Sequence, residues 1–288
     1  MDRGARDLAV LFPGQGVGSA DSRELVHRVK PDLLATVEQM LGGEVFGRIR
    51  DSTRFAQPAV YCAALAAYER LGRPHATMLA GHSLGEIAAL VAAGAIEEHD
   101  GLRIVVERGR LMDLAADGVD GGMLALGVGN DAAAEIARRH GLTVANDNSP
   151  EQVVLSGSEP GLADAERQAR ADGLRVKRLR IAGPFHTDAM APVVEPFRQF
   201  LADIPVRPPT ATVFSCVTAA PFEVDPRDAL ALALVRPVRW VEVLRRLRAE
   251  GARRFIDVGP GRVLAGLVRR TLDDVAVDPP PVAEPIGA

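Results

Sequence analysis

Cysteine is scarce in this chain: its 288 residues include two, Cys62 and Cys216, each within an apolar stretch. Isolated cysteines of that kind act as small core residues rather than as halves of a disulfide, the pattern of a reducing compartment. A basic excess is also missing. The 34 Lys and Arg against 38 Asp and Glu leave a formal net charge of −4, which argues against a general nucleic-acid binder. The longest apolar run, residues 87–96, is far below the roughly 18 residues that span a membrane. Residues 1–7 are polar and too few for a signal peptide. Five of the six histidines, His27, His75, His82, His99 and His140, show no metal-ligand spacing with cysteine or carboxylate, so no metal is assigned. The expectation is a cytoplasmic protein with neither a membrane nor a nucleic acid as partner.

Apolar residues, at 47%, are abundant enough for one large domain or two smaller ones. The most informative stretch is Gly81-His82-Ser83-Leu84-Gly85-Glu86. An apolar run at residues 76–80 precedes it and reads as a buried strand; the helix formers of residues 86–91 follow. A serine flanked at two residues' distance by glycines, between strand and helix, matches the nucleophile elbow. The turn is so sharp that the flanking residues must nearly lack side chains. It also leaves the hydroxyl at a helix N-terminus, where free N–H groups stabilise developing negative charge. A Gly/Ser turn without chemistry has the same pattern.

Residues 8–12 read as a first buried strand. The loop Pro13-Gly14-Gln15-Gly16 after it either lets backbone approach a ligand or is an ordinary turn. Residues 22–41 are helical in pattern with a break at Pro31, and Gln57-Pro58 opens another helix with proline near its first position. On a helix over residues 98–116, Ile104, Arg108, Leu111, Met112 and Ala115 share one face and Arg103, Glu107 and Arg110 another. Arg108 therefore sits in an apolar stripe, where an unpaired charge is costly. It needs an anionic partner, which an internal carboxylate could be, or it snorkels to the surface.

Residues 118–122 are glycine-rich and mark a boundary. Strands at 123–128, 142–146, 152–157 and 175–181, with helices at 131–140 and 161–172, then give the order βαββαβ of a ferredoxin-like unit. Asn146-Asp147-Asn148-Ser149-Pro150, between its middle strands, reads as a turn. Gly183-Pro184-Phe185-His186-Thr187 hands back to the main domain, and His186 at that junction suits acid–base work on a cleft rim, though a lone histidine is also a common structural residue. Strands at 212–217 and 254–258 alternate with helices at 228–235, 240–250 and 261–272, which points to an α/β fold with a parallel sheet. The tail at 276–288, with three consecutive prolines, is expected to be disordered.

An ordered set of short motifs goes further: Phe12-Pro13-Gly14-Gln15-Gly16, Gln57-Pro58-Ala59, Gly81 to Glu86, Arg108-Gly109 with Met112, Asn146-x-Asn148-Ser149-Pro150-x-Gln152-Val153-Val154, Pro184-Phe185-His186, Pro237-Val238-Arg239-Trp240 and Val258-Gly259-Pro260-Gly261. Over about residues 8–272 the chain resembles the malonyl-CoA:acyl carrier protein transacylases, the family that also supplies the acyltransferase domains of polyketide synthases. The resemblance implies a hydrolase-like parallel-sheet large subdomain (residues 1–120 and 186–275) and an inserted ferredoxin-like small subdomain (121–185). It implies Ser83 as the acylated nucleophile, His186 as its base, and the backbone N–H groups of Gln15 and Leu84 as the oxyanion hole. Arg108 corresponds to the arginine that binds the free malonyl carboxylate, with Met112 and Phe185 beside the substrate; a ring at Phe185 would crowd a 2-methyl group. Ala233 stands where the family often has glutamine, and its carbonyl is expected to orient His186. Val17-Gly18-Ser19 also departs from the family's usual Ser-Gln.

The activity so implied is ping-pong transfer of malonyl from malonyl-CoA to the phosphopantetheine thiol of acyl carrier protein, in fatty acid or polyketide biosynthesis. It needs no bound cofactor, and a monomer is expected. Arg175, Lys177 and Arg178, and Arg245, Arg246 and Arg248, are candidates for meeting an acidic carrier protein, or are simply solvated basic faces. Two rival readings stand beside it. A serine-dependent acyl-thioester hydrolase would need an acid before its histidine, and Asp164 and Asp172 fall in that interval but on the inserted unit's helix. An inactive docking module of a synthase complex would have no use for intact Ser83, His186 and Arg108.

Overall fold

In the computed structural model, residues 7–16, 20–181, 183–222, 225–259 and 261–278 are described. The strands are β1 (Leu8–Phe12), β2 (Met78–Gly81), β3 (Gly121–Leu126), β4 (Thr143–Ser149), β5 (Gln152–Ser158), β6 (Val176–Arg178), β7 (Thr212–Phe214), β8 (Arg254–Asp257) and β9 (Ala276–Asp278). They form two sheets: a five-stranded one in the order β7-β2-β1-β8-β9 and a four-stranded one in the order β4-β5-β3-β6.

The larger sheet is parallel throughout, and its central strand is apolar at every position because helices cover both faces. The period of two along β1 sorts its side chains into two cores. Leu8, Val10 and Phe12 face one core with Leu79 and Ile256. Ala9 and Leu11 face the other with Met78, Ala80 and Phe255. Helices Thr53–Arg70, Gly85–Ala92 and Glu98–Ala116 pack on the first face; Trp240–Ala249 and Val263–Thr271 pack on the second.

The smaller sheet is antiparallel, and its strand order is that of the ferredoxin-like arrangement. Leu124, Leu126, Val153 and Leu155 turn toward helices Asn130–His140 and Glu159–Ala171. The alternate positions Met123 and Val154 turn the other way and join the first core of the large sheet. Backbone hydrogen bonds also join the units: Asp147 N–H donates to the Val238 carbonyl, and Val238 N–H to the Ala145 carbonyl, both at 2.9 Å. The open face of the small sheet is thereby held over the C-terminal ends of β1 and β2.

Three expectations need correction. Residues 276–278 are not a loose tail: they pair in parallel with Arg254–Ile256 as the edge strand β9, and Arg254 closes an ion pair with Asp278 at 2.8 Å. The rest of the presumed tail, 279–288, lies outside the described residues, as do Val17, Gly18 and Ser19. The helix containing Pro58 begins at Thr53, because Ser52 caps it by accepting from Arg54 N–H at 2.9 Å; Pro58 lies within its second turn rather than at its start. The third concerns residues 146–150 and is met at the site. Among the described residues no helix is long and apolar enough to cross a membrane.

Candidate active site

The turn between β2 and the Gly85–Ala92 helix depends on its glycines. A Cβ on Gly81 would lie 2.0 Å from Glu86 N, and one on Gly85 would lie 2.3 Å from the Phe12 carbonyl oxygen. Neither contact exists between real atoms, so the strand, the turn and the helix can meet only with glycine at both places. His82 N–H donates to the Phe12 carbonyl at 3.0 Å, which ties the turn to β1. Ser83 at the apex has φ +52°, a left-handed conformation that an L-residue keeps only where its surroundings over-determine it. The Pro13–Gly14 loop crosses close by: a Cβ on Gly14 would lie 2.7 Å from the His82 carbonyl oxygen.

Ser83 Oγ lies 3.0 Å from His186 Nε2, and His186 Nδ1 lies 3.0 Å from the Arg236 carbonyl. A carbonyl only accepts, so Nδ1 carries the proton and Nε2 is free to accept from the serine hydroxyl. His186 is also left-handed, at φ +60°. Its turn is tied by Thr187, whose hydroxyl donates to the Pro184 carbonyl at 2.6 Å. Burial, the Arg108 charge and His82 push the imidazole down to about 3, against the Arg236 and Ala233 carbonyls, which favour its charged form. The ring is neutral at physiological pH. The hydrogen-bonded carbonyl is thus that of Arg236, three residues beyond the expected Ala233. The helix Arg227–Leu232 ends at Ala233, and the chain curls on so that later carbonyls face the ring; Ala233 is the lesser of the two contributors.

Arg108 is 3% exposed. Its Nη1 donates to Gln57 Oε1 at 2.6 Å and its Nη2 to Ser83 Oγ at 3.1 Å. No ion pair among the described residues includes it; the internal carboxylate left open by the sequence acts on it only without direct contact, as buried Glu86. Burial lowers its pKa to about 10, with Glu86 acting in the opposite sense. Glu86 itself, 1% exposed, accepts from Cys216 N–H at 2.6 Å, and burial pushes it up to about 7. The serine oxygen therefore accepts from a guanidinium on one side and donates to an imidazole on the other.

Ser83, Leu84, Arg108, Met112, Phe185 and His186 line one cleft of about 630 Å³, together with Gln15. Leu84 follows the serine directly and is the N-cap residue of the Gly85–Ala92 helix. Met112 Sδ accepts from Gln57 Nε2 at 3.2 Å, and Phe185 is buried. Residues 146–149 belong to β4 and are not a turn; two register shifts bulge the strand and re-aim its side chains. Asn148 Oδ1 thereby accepts from His82 Nε2 at 2.8 Å, and Asn146 and Asn148 line the cleft. No group of three or more metal-ligating side chains occurs among the described residues.

Comparison with known proteins decides the family. An acyl transferase domain model matches residues 28–288. The malonyl CoA-acyl carrier protein transacylase of Bacillus subtilis is 34% identical, over 96% of this chain and 95% of its own. The polyketide biosynthesis protein ThaF of Burkholderia thailandensis is 34% identical over 96% of this chain, which spans a quarter (25%) of that longer protein. This chain belongs to the acyl transferase domain family. The crystal structure of an acyl-carrier-protein S-malonyltransferase from Burkholderia pseudomallei superposes with a TM-score of 0.86, at 32% identity, covering 94% of this chain and 95% of that one.

Several motifs of this acyltransferase now have physical reasons. Trp240 is fully buried with its ring 5.3 Å from that of His82, and Arg239 donates to the Val217 and Thr218 carbonyls. Asp257 accepts from the N–H groups of Gly259 and Ala265, each at 2.9 Å, which fixes the turn into the Val263–Thr271 helix. The parts missed by sequence reasoning are side-chain partners: Gln57 on Arg108, Thr53 on Gln57, Asn148 on His82, and the Arg236 carbonyl on His186. The i,i+4 spacing of Thr53 and Gln57 is the one signal that could have found a pair.

Proposed function

We propose that this acyltransferase moves malonyl from malonyl-CoA to the phosphopantetheine thiol of an acyl carrier protein, through a malonyl-Ser83 intermediate. The observation that carries the reading is Arg108: a buried guanidinium with amide and hydroxyl partners but no carboxylate, 3.1 Å from the serine oxygen. A free carboxylate on the acyl group supplies the missing anion, and two of the relatives named above, those of Bacillus subtilis and Burkholderia pseudomallei, carry the name of malonyl transferases of acyl carrier protein.

His186 Nε2 takes the Ser83 proton as Oγ attacks the thioester carbonyl carbon. The carbonyl oxygen becomes an oxyanion that the Gln15 and Leu84 N–H groups receive. Collapse breaks the C–S bond, and the proton on His186 passes to the departing CoA thiolate. In the second half the carrier's thiol gives its proton to His186 and attacks the acyl-serine; the proton returns to Ser83 Oγ as the ester bond breaks. Overall one thioester replaces another, so the exchange is near balance and requires no energy source. The Arg236 carbonyl steadies the imidazolium that forms transiently. Phe185 at the cleft wall disfavours a 2-methyl branch.

Hydrolysis is the weaker reading, because His186 Nδ1 rests on a carbonyl where a hydrolase triad has a carboxylate, and Asp164 is engaged instead with Arg167 at 2.5 Å. Intact-mass and peptide spectrometry after exposure to malonyl-CoA tests the proposal. Malonyl on the Ser83 peptide, discharged by holo carrier protein and absent from Ser83→Ala, is the expected result. An unmodified chain, or discharge to water at the same rate without carrier protein, would overturn it.

A further inference from the structure

Beyond the residues just given roles, the first turn of the Thr53–Arg70 helix carries a side chain that joins the two halves of the site. Thr53 Oγ1 donates to Gln15 Oε1 at 2.7 Å and accepts from Gln57 Nε2 at 2.9 Å. Gln57 Oε1 in turn accepts from Arg108 Nη1 at 2.6 Å. Thr53 is 3% exposed, Gln57 0% and Arg108 3%, so the chain of bonds runs almost wholly through the interior.

The direction of that chain is dictated at one end. A guanidinium has donors and no acceptor, so Gln57 must turn its oxygen toward Arg108 and its NH2 toward Thr53. The Thr53 hydroxyl then accepts from Gln57 and has its own proton left for Gln15 Oε1. Reversing the Gln57 amide would set donor against donor beside Arg108 in a buried place, where an unmade hydrogen bond is costly. The close fit of Gly109 supports the same connection: a Cβ there would lie 3.1 Å from the Thr53 carbonyl oxygen, so the helix bearing Arg108 rests directly on the start of the helix bearing Thr53.

We infer that Thr53 is a positioning residue that transmits the orientation set at Arg108 to the Gln15 loop, so that the carboxylate subsite and one oxyanion donor are held as a single unit. The inference rests on the roles proposed above for Arg108 and for the Gln15 N–H. Its consequence is that damage at Thr53 appears at the oxyanion end, in acyl transfer generally, and not only in carboxylate recognition.

Thr53→Val keeps the shape and removes the hydroxyl; Thr53→Ser restores it. Rapid-quench acylation by malonyl-CoA and by acetyl-CoA, with melting temperatures, separates the outcomes. The expected result for Thr53→Val is a fall of about 10- to 100-fold in the acylation rate constant for both substrates, up to the size of a displaced oxyanion donor. The malonyl-CoA KM should change little, and Thr53→Ser should recover most of the rate. In an Arg108→Ala background, where nothing polarises the chain, Thr53→Val should slow acetylation by less than threefold. Wild-type rates in Thr53→Val would overturn the positioning role while the wild-type malonyl-serine still stood. A loss confined to malonyl would place Thr53 in carboxylate binding alone and also overturn it. A lower melting temperature with unchanged rate constants would make it a structural residue only. Failure of the wild-type chain to acylate Ser83 would instead sink the functional reading itself.

Discussion

Arg108 Nη2 and His186 Nε2 flank one oxygen, Ser83 Oγ, at 3.1 and 3.0 Å. The guanidinium can only donate, so the serine proton points to the imidazole before any substrate arrives. The residue assigned to the malonyl carboxylate thus also sets the resting state of the nucleophile.

That contact sharpens what Arg108→Ala should do. Removing one partner of a desolvated, hydrogen-bonded charge pair costs about 2–5 kcal/mol, or roughly 30-fold to several thousand-fold in kcat/KM. The malonyl-to-acetyl ratio should fall by that order, while acetyl transfer itself, with no carboxylate to strand, should fall only by the about 10- to 100-fold that disorienting the Thr53–Gln15 chain brings. Arg108→Lys should recover part, since an ammonium cannot reach Gln57, Ser83 and a carboxylate with one planar fork. Assays of both acyl-CoAs beside melting temperatures decide it; an unchanged malonyl-to-acetyl ratio would leave Arg108 a packing residue.

The pH profile carries a second test. His186 sits at about 3 when folded, lowered chiefly by burial and then by Arg108, against roughly 6.5 in an unfolded chain. Its depressed value means stability that is fully present above about 6.5 and is lost progressively as pH falls toward 3. Acylation kcat/KM should accordingly show no acid limb near 6.5. A bound malonyl carboxylate offsets the Arg108 charge, so the acid limb in kcat, which reports the enzyme–substrate complex, should lie at higher pH than that in kcat/KM. Coincident limbs, or a limb at 6.5 in kcat/KM, would contradict the geometry.

How much of this was legible in the chain follows from distance along it. The elbow showed because its glycines, strand and helix are contiguous, and Arg108 showed because helical spacing put a charge among Leu111, Met112 and Ile104. What Arg108 touches did not show: Gln57 lies 51 residues away, and no local period reports such a pairing. His82 and Asn148, 66 residues apart, were hidden likewise, and the bulges of β4 look like turn residues in sequence. Family resemblance points to the Ala233 carbonyl for the histidine, whereas the curl after Leu232 brings up that of Arg236 as the hydrogen-bonded one, with Ala233 the lesser contributor.

Glycine substitutions should separate geometric need from ordinary helix propensity. Gly81→Ala or Gly85→Ala drives a methyl into backbone, at a cost of about 3 kcal/mol or more, and should abolish acylation. Gly266, inside the Val263–Thr271 helix with nothing within 4 Å of its would-be Cβ, should gain about 0.5–1 kcal/mol as alanine. Chemical denaturation of the three variants checks both signs.

Carrier-protein docking should divide the basic residues by what already occupies them. Arg178 is held by Glu159 and Glu166, and Arg246 by Glu250, whereas Lys177 and Arg180 line the cleft without an ion pair among the described residues. Charge reversal at Lys177 and Arg180 should raise the KM for carrier protein several-fold at low salt, an effect lost at high salt. Reversal at Arg246 should do less. Equal KM values for all variants at low salt would remove this face as the docking surface.

The amide and hydroxyl partners of Arg108 have a thermodynamic consequence outside catalysis. Folding has already dehydrated that guanidinium, so a small carboxylate entering the cleft meets a charge that need shed little water. By linkage such an anion stabilises the folded chain, by about 2.7 kcal/mol at a hundred times its dissociation constant. With the role proposed for Arg108, the melting temperature should therefore depend on the surrounding anion, higher in malonate than in chloride at equal ionic strength.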